Sequence, residues 1–153
     1  CRLQLEAEYW LCLDSIKVAS ENGMTSEDAQ FRKAEILKRC EANGLLDYKK
    51  LKEMRIINES NHTICPLCLK ELSGNEFLNK VAQPEGREVP DLTVTQVNLF
   101  HINELKYGAF NHKPYNLGWG HHFCNVVVKD SGIYPTLEWM QSVLDTNKEN
   151  GFF

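Results

Sequence analysis

Two short knuckles constrain this chain more than any other feature. Cys65-Pro-Leu-Cys68 and His121-His-Phe-Cys124 each set two sulfur or nitrogen donors three residues apart. Structural zinc takes four such donors in a tetrahedron, and two close pairs on separate turns supply them without strain. The expected ligand set is Cys65, Cys68, His121 and Cys124. His122 could replace His121, although the matching spacing favours the latter. The bland alternative is buried small thiols and core histidines. The other cysteines, Cys1, Cys12 and Cys40, lie in amphipathic helical sequence. With no secretion signal, the set reads as a metal site in a reducing cytosol rather than as disulfides.

The 153 residues suit one domain, or one small module with a helical extension. Hydrophobic residues at 42% and charged residues at 25% exclude wholesale disorder. No apolar run approaches the roughly 20 residues that span a bilayer. A charged start (Arg2, Glu6, Glu8) is unlike a signal peptide, and opening at Cys1 rather than Met suggests a piece of a longer chain. The net charge of −4 and a pI near 5.7 argue against a generally basic nucleic-acid binder. Residues 32–55 are the exception: eight Lys and Arg stand against four Asp and Glu. They read either as solvated helix faces carrying i,i+4 pairs or as a phosphate-facing patch.

Residues 1–60 read as helical. Leu5, Tyr9, Cys12, Ile16 and Ala19 share one face of a first helix that ends at Asn22-Gly23. Thr25 and Asp28 form a capping pair before a second helix with Phe31, Ala34, Leu37 and Cys40 inward, stopped near Asn43-Gly44. Leu46 to Ile57 predicts a third. An extended piece leads to Cys65, a brief helix is expected over Phe77–Val81, and residues 83–91 read as a loop. Leu92–Ile102 is rich in β-formers, and Asn116–Gly120 predicts a second strand whose glycines let backbones approach closely. Phe123–Asp130 predicts a short helix. Pro135 to about Asn147 predicts a last one, with Leu137, Met140, Val143 and Leu144 inward. Trp119 and Trp139 are expected in the core.

A staple alone does no chemistry. Four of the five histidines fall between 101 and 122. His101 ends the predicted strand, where its ring can point into a cleft, and a histidine titrating near neutrality suits the deprotonation of water. Asn125 follows the last knuckle, and its carboxamide oxygen is a hard ligand for magnesium or a similar ion. Water activation beside one hard cation suits phosphodiester hydrolysis.

Residues 101–125 resemble the HNH branch of the ββα-metal (His-Me finger) endonucleases, zinc-stapled as in restriction and phage-type enzymes. There, a catalytic histidine ends the first strand, an Asn-Leu opens the second, a Cys-x-x-Cys follows, and Asn or His begins the helix. His101 takes the first place, Asn116-Leu117 comes 15 residues on, and His121 and Cys124 stand where the cysteine pair would be. The resemblance implies that His101 is the general base, that Asn116 braces the loop orienting it, and that Asn125 holds a catalytic Mg2+ or Mn2+. It implies a structural zinc on Cys65, Cys68, His121 and Cys124. The implied fold is α+β: a helical region over 1–60, scaffold or DNA-contacting, then an HNH-like nuclease module over 61–153 with a C-terminal helix. The implied partner is double-stranded DNA. A homodimer would serve cutting of both strands, and no membrane is involved. The setting would be a bacterial or phage cytoplasm. One departure is Phe100, where the family often has Asp or His as second cation ligand; Asn98, Asn103, Glu104, His112 and His122 are the substitutes in reach. The rival readings are a non-catalytic zinc-binding DNA- or protein-interaction module and a catalytic zinc. The latter lacks the His-x-Glu signature of zinc deaminases.

Overall fold

The computed structural model describes residues 1–81, 94–103 and 111–153. Within them the chain is mixed α+β. Four helices, α1 (Arg2–Trp10), α2 (Ser15–Glu21), α3 (Ser26–Ala42) and α4 (Tyr48–Glu53), precede a 3₁₀ turn at Gly74–Phe77. The strands β1 (Val97–His101) and β2 (Leu117–His121) follow, then α5 (His122–Val128) and α6 (Ile133–Glu149).

The single first helix expected up to Asn22 is two, broken over residues 11–14. The Cys12 N–H bonds Tyr9 O at 3.0 Å and the Ser15 N–H bonds Cys12 O at 3.2 Å, which tightens the chain into a turn. Distant groups take up what the break leaves over. The Thr63 hydroxyl donates to Glu8 O, and the Asp14 carboxylate accepts from Ser73 Oγ and from the Gly74 N–H. Helical periodicity runs through the break, because these partners lie about 50 to 60 residues downstream.

Thr25 caps α3 by accepting from the Asp28 N–H at 3.1 Å. Its buried residues are Ala29, Ile36 and Cys40, whereas Phe31 is 71% exposed and Ala34 is exposed too. The expected face is rotated because the true one includes Arg32, whose guanidinium reaches Glu6 on α1 at 2.8 Å. Asp47 caps α4, which stops at Glu53 rather than Ile57. Arg55 adopts φ 61° and donates Nε–H to Pro66 O at 2.7 Å, which sends Ile56 and Ile57 into the core. The brief helix expected over Phe77–Val81 instead lies at Gly74–Phe77, set by a Ser73/Glu76 capping box.

β1 and β2 pair antiparallel, with Val97 opposite His121 and His101 opposite Leu117. The ladder covers less than the predicted Leu92–Ile102; residues 83–93 and 104–110 of the expected loop, strand and turn lie outside the described residues. Phe100 is fully buried and its ring lies under Gly120, where a Cβ would sit 2.4 Å from Phe100 Cδ2. Gly120 is therefore required for close approach. α5 starts at His122, so Asn125 lies within it rather than at its start.

One core joins the helical half to the hairpin: Leu11, Cys12, Leu51 and Ile56 pack with Phe100, Cys124, Val128 and Ile133. Trp119 is half-buried against it, donating Nε1–H to Leu5 O at 2.8 Å. Leu137 and Met140 of α6 also pack on it. Val143 and Leu144 are exposed, and Trp139 is 59% exposed, contrary to expectation. α6 packs on α5 through its first turns and runs on past the core.

Candidate active site and metal centre

The Sγ atoms of Cys65, Cys68 and Cys124 and a ring nitrogen of His121 all lie within 4.8 Å of one another. A tetrahedral zinc with bonds of about 2.0–2.3 Å needs its donors about 3.3–3.8 Å apart. Cys68 Sγ stands 3.3 Å from His121 Nδ1. The donor chemistry and spacing fit, so this cluster could bind zinc. Burial, then the neighbouring Cys65 and Cys68, pushes the Cys124 thiol up to about 12, and burial pushes Cys65 up too, so without a metal these two sulfurs keep their protons. A bound divalent cation would release those protons and offset the thiolate charge.

The knuckle pattern did not reveal Glu76. Its Oε2 lies 3.0 Å from His121 Nε2, and its Oε1 accepts from the Ser73 N–H at 2.8 Å. With Nε2–H donated to Glu76, His121 turns an unprotonated Nδ1 toward the sulfurs. Ser73 in turn donates its hydroxyl to Asp14, so a chain of contacts ties the cluster to the α1–α2 break. The only sequence signal was Ser73-x-x-Glu76, a capping-box spacing.

The hairpin and α5 also form an open cleft of about 530 Å³. His101, Asn98 and Leu99 of β1 line it with His122, Asn125 and Val126 of α5, and Lys129 and Asp130 beyond α5 line it too. His101 and Asn125 thus face one space. Asn125 donates Nδ2–H to Leu99 O at 3.0 Å. His101 Nε2 is 3.4 Å from His112 Nδ1. Burial, and then the His112 charge, lowers the His101 pKa from the usual histidine value, while Asp130 opposes both. Asn116 is buried and joins the two ends of the β1–β2 connection: its Oδ1 accepts from the Asn103 N–H at 2.9 Å and its Nδ2 donates to Asn111 O at 2.6 Å. His122 lines the cleft and is not part of the sulfur cluster. Phe100, in the core, contributes nothing to the cleft surface.

Much of the basic window is spent internally. Arg32 pairs with Glu6 and Glu35, Lys49 with Glu53 and Lys52 with Glu59, while Lys50 stacks 4.3 Å over the Tyr115 ring. Among the described residues no helix is long and apolar enough to cross a membrane.

The family model described as BstXI restriction endonuclease matches residues 1–122. The chain belongs to the BstXI restriction endonuclease family. It is accordingly a restriction-type DNA endonuclease, a hydrolase of DNA phosphodiester bonds. Comparison with curated proteins and with solved structures gave no match. The BstXI family match takes in the helical half, β1, β2, His101, Asn116 and three of the four cluster residues, and it stops short of Cys124 and Asn125.

Proposed function

We propose that this family member cuts double-stranded DNA by HNH (ββα-metal) chemistry, with His101 as general base. The observation that carries this reading is the shared cleft: His101 from the end of β1 and Asn125 from α5 line one open space on an antiparallel hairpin followed directly by a helix. His101, held below the usual histidine pKa, is neutral at pH 7 and takes a proton from the attacking water. Asn116, by tying residues 103 and 111, holds the connection that follows His101. Asn125 offers its carboxamide oxygen to a cation, since its nitrogen is already bound to Leu99 O. When bound, Mg2+ or Mn2+ supplies charge stabilisation at the scissile phosphate and the leaving oxygen. Cys65, Cys68, His121 and Cys124 would hold a structural zinc, with all four positions filled and none left for water.

In this reading residues 61–153 are the nuclease module and residues 1–60 a scaffold or DNA-contacting region. Two copies act on the two strands, in a bacterial or phage cytoplasm. The test is plasmid nicking with added Mg2+ or Mn2+, run beside His101→Ala and with elemental analysis for zinc. His101→Ala should abolish cleavage while DNA binding and zinc content persist. Retained cleavage in the purified variant removes the base assignment. Absence of metal-dependent nicking in the parent protein favours a non-catalytic zinc module.

A further inference from the structure

Phe100 leaves the cation with one named ligand, and the hydrogen bonds around the cleft supply a second. The Thr95 hydroxyl donates to Val97 O at 2.7 Å, so its oxygen is left to accept. Asn98 Nδ2 donates to that oxygen at 3.3 Å and to Thr95 O at 3.0 Å. Both amide protons of Asn98 are thereby used, which fixes the orientation of the side chain. Its Oδ1 then faces His122 Nδ1 at 2.8 Å. An amide oxygen only accepts, so His122 carries its proton on Nδ1. In the neutral ring its Nε2 is then the nitrogen with the lone pair, and it has no partner among the described residues. Three residues on, Asn125 repeats the pattern: its nitrogen is bound to Leu99 O and its oxygen has no partner. Residues three apart on a helix share a face, and both line the cleft that His101 lines.

We propose that His122 Nε2 and Asn125 Oδ1 are the protein ligands of a divalent cation, with Asn98 the positioning residue that fixes the His122 tautomer. An imidazole held by a fixed acceptor on its other nitrogen is how proteins prepare a histidine for metal. Asp130 lines the same cleft beside Lys129, so the local charge there is balanced and the ion is held by its ligands. The nitrogen ligand also bears on the ion: imidazole suits the later transition metals, while Mg2+ prefers oxygens and keeps its waters. Of the two ions in the reading above, Mn2+, which begins the transition series, should bind here more tightly than Mg2+. This inference rests on the cleft reading above, but its test does not need cleavage.

The experiment is Mn2+ titration of the zinc-loaded protein, followed by loss of the free-ion electron paramagnetic resonance signal. His122→Ala should weaken Mn2+ binding about tenfold or more, and Asn98→Leu about tenfold, the range set by loss of a metal-orienting partner. Zinc content should stay unchanged. In the parent protein, substoichiometric Mn2+ should broaden the ring resonances of His122 before those of His62, a readout that requires no variant to fold. Mn2+ affinity unchanged in His122→Ala overturns the proposal. So does broadening confined to His112 and His101, which puts the ion between that pair, and so does zinc loss in His122→Ala. Mn2+ bound through His122 without plasmid nicking leaves this site standing and removes the nuclease mechanism. Nicking that His122→Ala leaves intact does the reverse.

Discussion

Replacing Glu76 isolates the contribution of a residue that ligates nothing itself. Its carboxylate does two jobs: Oε2 accepts from His121 Nε2 at 3.0 Å, and Oε1 accepts from the Ser73 N–H at 2.8 Å. Glu76→Leu removes both. Loss of the partner that orients a metal-binding histidine weakens metal affinity about 10- to 100-fold, or about 1.4–2.7 kcal/mol. Loss of the reciprocal cap costs a further ~1 kcal/mol of fold stability, with or without metal. The two effects separate by assay. Zinc affinity, from competition with a chromophoric chelator, reads the first. Tm at saturating zinc reads the second, and should fall by only about 2–4 °C. Glu76→Gln keeps one acceptor oxygen for the two bonds and turns a donor to the other partner, so it should lie between the parent and the leucine variant in zinc affinity. If Glu76→Leu bound zinc as tightly as the parent while its Tm fell, Glu76 would be a helix cap and no more.

The cleft and the core make further predictions. Removing the His112 charge should raise the His101 pKa slightly, because burial is the larger cause of its depression, so the acid limb of the pH–rate profile in His112→Ala should move to higher pH. A limb that stays or moves lower contradicts the pairing. Gly120→Ala drives a methyl to 2.4 Å from the buried Phe100 ring and should cost about 1–3 kcal/mol in denaturant melts; a neutral result means the hairpin has room that the structure lacks. Glu8 is buried with neither carboxylate oxygen bonded, and burial raises its pKa well above the ordinary 4.5. The native state therefore keeps a proton that the unfolded chain releases. Its contribution to stability should be fully present below 4.5 and should be lost as pH rises toward the folded pKa, at about 1.4 kcal/mol per pH unit inside that window. Glu8→Gln should remove this falling component, and a variant whose stability follows the same pH dependence as the parent over that window would refute it.

What could be read ahead of the fold was what local spacing encodes. The two knuckles specified their own convergence, because four zinc-type donors at matched spacing have few other uses. The strand–strand–helix order over 97–128 followed from β-formers, glycines and a helical run. What escaped depends on partners far away in sequence. The α1–α2 break is bonded by Thr63 and Ser73, and the face of α3 that meets α1 includes Arg32, a half-exposed charged residue that reaches across to Glu6. The outward turn of Trp139, Val143 and Leu144 was illegible for a related reason: amphipathic periodicity marks a face, and α6 outruns the core that would cover it. Glu76 escaped, and Asn98 and His122 stood undistinguished among five substitutes for the residue at position 100, because orientation, not residue type, makes them useful.

The cleft is built on very little regular structure, and that explains why so many groups brace it. A two-stranded hairpin is marginal alone in water. Here it is held at one end by His121 and Cys124 in the sulfur cluster and at the other by Asn116 closing the 103–111 connection. On its flank Trp119 is bonded to Leu5 of α1, and beneath it Phe100 is locked against Gly120. An acidic residue at position 100 would bring a carboxylate to this fully buried place and so cost several kcal/mol unless paired. The aromatic ring stabilises the hairpin that carries His101, so in the proposed reading the position that gives up a cation ligand gains the packing that positions the base. Since His121 belongs to the cluster and His122, its chain neighbour, lines the cleft, displacing the sulfurs must disturb both sites at once. In the proposed mechanism, removing zinc from the cluster should therefore abolish cleavage although the zinc itself activates no water.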